Sequence, residues 1–143
     1  MTRITHVLER RFVVPGRAVS FRSPASPAYK SQVRTLARPV FPKVPTQDSV
    51  EVFLDHFHVE RRRVDMDNVA KCVLDALSGV AYVDDRQVLH QYSRAHDLRD
   101  ALSLRGGPVD LVKPLADYRE YLFVRVREVG LSKPGQAGAS SGD

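Results

Sequence analysis

The chain reads as an α+β protein, a single compact domain in which two main helices pack on a mixed sheet of about four to five strands. Three observations predict this. A length of 143 residues suits one hydrophobic core, because chains below about 200 residues seldom divide. Apolar residues at 43% and charged residues at 27% give the balance of an ordinary globular protein rather than a fibrous or disordered one. Period-two and period-three-to-four hydrophobic patterns follow each other in the order strand, helix, strand, helix, strand, strand, as expected for helices laid against a mixed or antiparallel sheet.

Ile4 to Val14 alternates imperfectly and stops at Pro15-Gly16, a strand closed by a turn. A second short strand is expected at Val19 to Phe21. Ser23-Pro24-Ala25-Ser26-Pro27 then starts a helix, with Tyr29, Val33 and Leu36 at helical spacing and an end before Pro39. The proline-rich stretch Pro39 to Thr46 is a short linker within the domain. From Val50 to Phe57 the chain alternates again, Val50, Val52, Leu54 and His56 on one face, Glu51, Phe53, Asp55 and Phe57 on the other.

Val69, Val73, Ala76, Leu77 and Val80 form an apolar helical stripe, with Asp67 as the expected N-cap and Gly79 as the stop. Cys72 falls on this helix, and as a lone cysteine it is expected reduced and at or near the core. Val88 to His96 and Tyr121 to Val129 are the last two strands, the latter with Leu122, Val124 and Val126 on one face. Leu98 to Asp117 has no clear pattern. Residues 1–131 form the folded domain, and the Gly/Ser/Ala-rich stretch 132–143 is expected to be a disordered tail.

No apolar run reaches the roughly 18 to 20 residues that cross a bilayer, and the first residues are charged where a signal peptide needs an apolar core. A cytoplasmic location without membrane contact is the expectation. The net charge of +5 is uneven: residues 1–43 hold nine Lys/Arg against Glu9 alone, and residues 44–143 hold thirteen against sixteen Asp/Glu. One region is thus able to neutralise phosphates and another to hold cations, the division of labour a polyanion-binding metal enzyme needs.

The acids carry the chemistry. Asp65 and Asp67 stand where a strand gives way to a helix, Lys71 and Asp75 follow Asp67 at intervals of four, and Asp84-Asp85 follows the helix. A strand-helix-turn unit is expected to return the second pair beside the first. Mg²⁺ prefers carboxylate oxygens and takes one or two from protein, so Asp65, Asp67, Asp84 and Asp85 are candidate ligands for one or two ions that cut a phosphodiester in line. Each acid also has an ordinary reading as a cap, a surface partner or a turn residue. A calcium loop starting at Asp65 fails, because Ala70 and Ala76 occupy its obligatory Gly and Glu positions. His6, His56, His58, His90 and His96 lack the Cys/His pairing of a zinc site.

The runs Arg61-Arg62-Arg63-Val64-Asp65-Met66-Asp67-Asn68-Val69-Ala70-Lys71, Leu74-Asp75-Ala76-Leu77 and Val83-Asp84-Asp85-Arg86-Gln87-Val88 closely resemble the RusA family of Holliday-junction resolvases. The resemblance is close from Arg61 to Val88 and looser in the flanking strands. It implies a homodimeric α+β endonuclease that resolves four-way junctions by paired symmetric nicks with Mg²⁺, or Mn²⁺ in its place. Asp65, Asp67 and Asp85 match the catalytic metal-binding aspartates, Asp84 the adjacent acid and Lys71 the catalytic lysine. Such families often occur on phage genomes, which would place the protein in a bacterial host's cytoplasm. The proline-serine-asparagine turn of the family is replaced here by Pro15-Gly16-Arg17-Ala18-Val19-Ser20.

Arg61, Arg62 and Arg63 are the expected phosphate contacts, with Arg17, Arg22, Lys30 and Arg34 extending the track. Two other functions remain open at this point: a branched-DNA-binding protein that does not cut, and a nuclease that prefers flaps or forks.

Overall fold

The computed structural model describes residues 3–59, 65–98 and 120–132. They form one four-stranded mixed sheet and two α-helices: β1 (Arg3–Pro15), α1 (Ser26–Ala37), β2 (Val50–His58), α2 (Met66–Leu77), β3 (Val88–Asp97) and β4 (Tyr121–Ser132). Spatial order is β1-β4-β2-β3. β4 runs antiparallel to both β1 and β2, whereas β2 and β3 are parallel and joined through α2, the connection that parallel neighbours require.

Strand alternation decides which residues meet the helices. Phe12 and Val14 of β1, Val50, Val52 and Leu54 of β2, and Leu122, Val124 and Val126 of β4 are buried in one cluster with Tyr29, Val33 and Ala37 of α1 and Val69, Val73, Ala76 and Leu77 of α2. Each fully buried Val or Leu contributes roughly 1.5–3 kcal/mol through the water it no longer orders. Cys72 belongs to this core, as its position on the helix predicts, and burial raises its thiol pKa despite a hydrogen bond shared with Ser26.

The expected short strand at Val19 to Phe21 does not form. Those residues lead into a pair of serine-anchored turns, and the Phe21 N–H bonds instead to the carbonyl of Asn68 at 3.0 Å, docking the loop on the start of α2. Helix α1 carries Pro27 in its first turn and ends at Arg38, ahead of Pro39. Gly79, at φ +87°, takes the left-handed conformation that ends α2, a geometry a Cβ would strain. Of the unpatterned stretch Leu98 to Asp117 only Leu98 is described, and of the expected tail 132–143 only Ser132, which ends β4; the rest lies outside the described residues. Among the described residues no helix is long and apolar enough to cross a membrane.

Among the described residues the sheet's other face carries no helix. There Phe57, Tyr121 and Phe123 pack together with Val13 and Leu98, and burial pushes the Tyr121 hydroxyl up to about 12. Beyond them lies a network of charges across three strand boundaries. Glu9 accepts from Arg11 at 2.9 Å and from Arg127 at 3.2 Å, Asp55 accepts from Arg94 and His96 at 2.8 Å each, and Arg125 and Arg127 sit over the Phe53 ring.

Candidate active site

Helix α2 starts two residues earlier than its apolar stripe suggests, and Asp65, not Asp67, is its N-cap. Asp65 has extended φ and ψ, and its carboxylate accepts the Asn68 backbone N–H at 3.3 Å and the Asn68 side-chain amide at 2.7 Å. The Asp-x-Asp-Asn run is therefore a self-braced helix start: the Asn68 amide holds Asp65, whose carboxylate satisfies one of the first N–H groups a helix leaves unpaired. Asp67 stands in the first turn, exposed, where the positive end of the helix favours a carboxylate.

One turn on, Lys71 is exposed with its Nζ 5.8 Å from the centre of the Phe21 ring; Lys30 of α1 lies over the same ring at 4.9 Å. Phe21 is 41% exposed and its backbone is pinned to Asn68. An aromatic ring and two ammonium groups thus share the surface next to Asp67, within the range of cation–π attraction. Asp75 pairs with Lys30 at 2.6 Å. Arg34 is committed elsewhere: its guanidinium bonds to the Ala76 and Asp75 carbonyls and caps the end of α2, so the proposed phosphate track loses it. Arg17 and Arg22 are exposed on the loop that carries Phe21. Arg61, Arg62 and Arg63 lie outside the described residues.

The second acidic pair is built just as firmly. Asp84 caps a single 3₁₀ turn, Asp85–Gln87, accepting the Arg86 N–H at 2.9 Å with the Arg86 guanidinium beside it. That backbone bond first, and the guanidinium second, hold the Asp84 carboxyl below the usual carboxylate range. Gln87 is the brace. Its Oε1 accepts the Val83 and Asp84 N–H groups at 2.9 Å, and its Nε2 donates to the Thr46 and Asp48 carbonyls at 2.8 Å. The side chain fills its whole hydrogen-bonding capacity. Gln87→Ala is expected to cost about 2–3 kcal/mol, near 1 kcal/mol net per bond with some replaced by water; urea unfolding checks it, and a loss under 0.5 kcal/mol would show that the turn stands without its brace. Tyr82, between this turn and α2, bonds to the Leu74 carbonyl at 2.7 Å, and burial together with the nearby Asp85 and Asp75 keeps its hydroxyl neutral.

The two pairs do not meet within the chain. Asp65 follows the C-terminal end of β2, while Gln87 ties the Asp84-Asp85 turn to Thr46 and Asp48, which precede β2. The parallel register, Val50 opposite Val88, puts the turn at that same far end. From Asp67 the helix runs on to Leu77, roughly 15 Å at the helical rise, before the chain reaches the second pair. The strand-helix-turn unit therefore does not return the second pair beside the first. Among the described residues no group of three or more His, Cys, Asp or Glu stands close enough to hold a metal ion. The donor chemistry suits Mg²⁺, since all four candidates are hard carboxylates, but four ligands on one centre do not fit within one chain.

The histidines of β2 lie apart from this chemistry. His56 is fully buried with Nε2 3.1 Å from Glu120, and its ring stacks on His58. Burial lowers its pKa against the opposing pull of Glu120.

No curated protein matches the chain. The family model for endodeoxyribonuclease RusA does match it, over residues 8–95. That span runs from β1 to β3 and includes both acidic pairs, Lys71 and Gln87. Since the match covers more than half of the 143 residues, the chain belongs to the RusA endodeoxyribonuclease family.

Proposed function

We propose that this chain is a Mg²⁺-dependent endonuclease that resolves four-way DNA junctions by paired symmetric nicks, acting as a homodimer. The observation that carries the reading is the family match, which spans every acid and the lysine that the sequence singles out. Two features support it. Asp67 and Lys71 present a carboxylate and an ammonium one turn apart on an exposed helix face, so a phosphate is attracted to Lys71 while Asp67 faces the cation side. The positive groups on α1 and on the loop that carries Phe21, Lys30, Arg17 and Arg22, suit a polyanion regardless of its sequence. When bound, Mg²⁺ supplies polarisation of the phosphate and a more acidic water. The chain's own residues supply the rest: Asn68 fixes Asp65, the first turn of α2 presents Asp67, and Lys71 neutralises phosphate charge. A dimer follows from the substrate, because a four-way junction needs two related cuts and a two-fold protein offers two related sites.

The test is incubation of a labelled four-way junction, with flap, fork and linear duplex controls, in Mg²⁺, in Mn²⁺ and in EDTA. Paired nicks that need the junction and the divalent ion are expected. Binding without cutting would leave a non-catalytic DNA-binding protein, and equal cutting of flaps or forks would make the chain a general branched-DNA nuclease.

A further inference from the structure

We propose that Phe21 is a positioning residue of the nuclease site: its ring seats the Lys71 ammonium beside Asp67, with the N–H donors of that ammonium left open for a phosphate. The proposal rests on the nuclease reading above and adds how the lysine is held.

The core does not explain a phenylalanine at this place. Phe12, Phe41, Phe57 and Phe123 are buried in the two apolar clusters, whereas Phe21 belongs to neither and is 41% exposed. Its loop is nevertheless firmly built. Ser20 accepts from the Arg22 and Ser23 N–H groups, Ser23 accepts from those of Ala25 and Ser26, and the Phe21 N–H bonds to the Asn68 carbonyl at 3.0 Å. Asn68 is also the residue whose side chain holds Asp65 at 2.7 Å. Lys71 stands three positions further on the same helix face, so ring, cap and lysine are all anchored on the first turns of α2.

What the ring meets is charge. Lys30 and Lys71, from different helices, place their Nζ atoms 4.9 and 5.8 Å from its centre, inside the range over which the negative face of an aromatic ring attracts a cation. The two are not equivalent. Lys30 is already paired with Asp75 at 2.6 Å, which also lessens the repulsion between the two ammonium groups. Among the described residues no carboxylate pairs with Lys71. That difference decides what each can do for a phosphate. A carboxylate partner takes N–H donors and cancels charge, whereas a ring face orients the ammonium and leaves its charge and its donors available. A lysine on its flexible stem otherwise samples many positions, and a misplacement of about 1 Å at a reacting group costs on the order of 10²-fold in rate. Phe21 narrows that range without competing with the substrate.

The experiment changes the ring's electrostatics while keeping its shape. Mono-, di- and trifluorinated phenylalanine are placed at position 21 by stop-codon suppression, with Phe21→Leu and Phe21→Tyr beside them. Single-turnover cutting of a four-way junction in Mg²⁺ is measured together with junction affinity in EDTA, thermal unfolding, and the proton chemical shift of the Lys71 ε-methylene, assigned by its loss in Lys71→Ala. Each fluorine withdraws negative charge from the ring face. The cutting rate is therefore expected to fall stepwise, reaching about 2- to 5-fold below wild type with three fluorines and in Phe21→Leu, the factor that an exposed cation–π contact is worth. Phe21→Tyr keeps the wild-type rate. The Lys71 signal lies upfield in wild type, under the ring current, and returns to the ordinary lysine position in Phe21→Leu. Affinity in EDTA and melting temperature stay close to wild type, because the ring lies outside the core and the ammonium is still present. A rate that is flat across the fluorinated series, or a Lys71 signal that Phe21→Leu does not move, overturns the proposal. So does a loss confined to junction affinity, which makes Phe21 a DNA contact in its own right, or a melting temperature lowered by more than about 5 °C in Phe21→Leu, which makes it a folding residue. Wild-type chain that cuts no branched DNA removes the nuclease reading and the proposal with it, whereas a flat series in a chain that does cut removes the proposal alone.

Discussion

Asp67→Asn is expected to lower junction cutting by about 10³-fold or more, equivalent to roughly 4 kcal/mol of transition-state stabilisation, while the melting temperature and junction affinity in EDTA stay close to wild type. The separation of effects follows from what Asp67 does not do. The cap of α2 is Asp65, whose carboxylate binds the Asn68 backbone and side chain. Asp67 is exposed in the first turn, so its amide replacement forfeits only a weak helix-end attraction of about 0.3–1 kcal/mol. Changing Asp65 to Ala would confuse the two, since losing a cap costs about 0.5–2 kcal/mol of stability on its own. The assay is single-turnover cleavage in Mg²⁺ beside thermal unfolding of the same preparation. A variant that cuts at the wild-type rate would remove Asp67 from the catalytic set, and one that melts far below wild type would show that the residue holds α2 in place.

That cap shows where sequence reading reaches its limit. Asp65 and Asp67 both satisfy the chemical preference for an N-cap, and only the backbone distinguishes them: Asp65 is extended, and the chain is helical from Met66. The apolar stripe was no guide, because a helix's first turn need not touch the core. Apart from the expected short strand at Val19 to Phe21, which does not form, the strands and helices were readable, since alternation and the three-four repeat are local consequences of burying one face. The place of β4 between β1 and β2 was not, because nothing local in a strand names its neighbour.

The acidic pairs teach a sharper lesson about distance. Their closeness along the chain and the family pattern both suggest one cluster, yet the segment between them is a rigid helix whose length its own stripe declares. From Asp67 to Leu77 the helix sets about 15 Å, so the separation was present in the sequence as arithmetic. Which end of the sheet each pair occupies was not, because that depends on the register between β2 and β3. Gln87 is a middle case: the motif marks it, but its bonds to Thr46 and Asp48 depend on how the chain returns to the start of β2.

The sheet face away from α1 and α2 holds the second large expected effect. Asp55→Asn should destabilise the fold by about 3 kcal/mol at pH 7, which for a chain of this size lowers the melting temperature by roughly 6–12 °C. The Asp55 side chain is 2% exposed and is the shared acceptor for Arg94 and His96 at 2.8 Å, with Arg125 at 3.8 Å. An amide keeps the shape but offers one acceptor oxygen and no charge, leaving cations beside a neutral buried group. Arg94 is 61% exposed and loses little, since water solvates it; Arg125, at 14%, loses more, because its Nε already lacks a partner. The dependence on acid identifies the charge as the cause. Burial alone would raise the Asp55 pKa, but hydrogen bonds from His96 and Arg94 outweigh it and the net shift is downward. A carboxyl that is more acidic folded than unfolded stabilises the fold fully above its unfolded value, near 3.9. That contribution is lost as pH falls through the lower folded value, since the unfolded chain takes up the proton first. Wild type and Asp55→Asn should therefore differ most at neutral pH and converge as pH drops below about 4, which urea midpoints across pH 3 to 7 measure. A constant gap across that range would assign the loss to packing instead of charge, and no gap at pH 7 would mean that the arginines and histidine around Asp55 hold the sheet face without it.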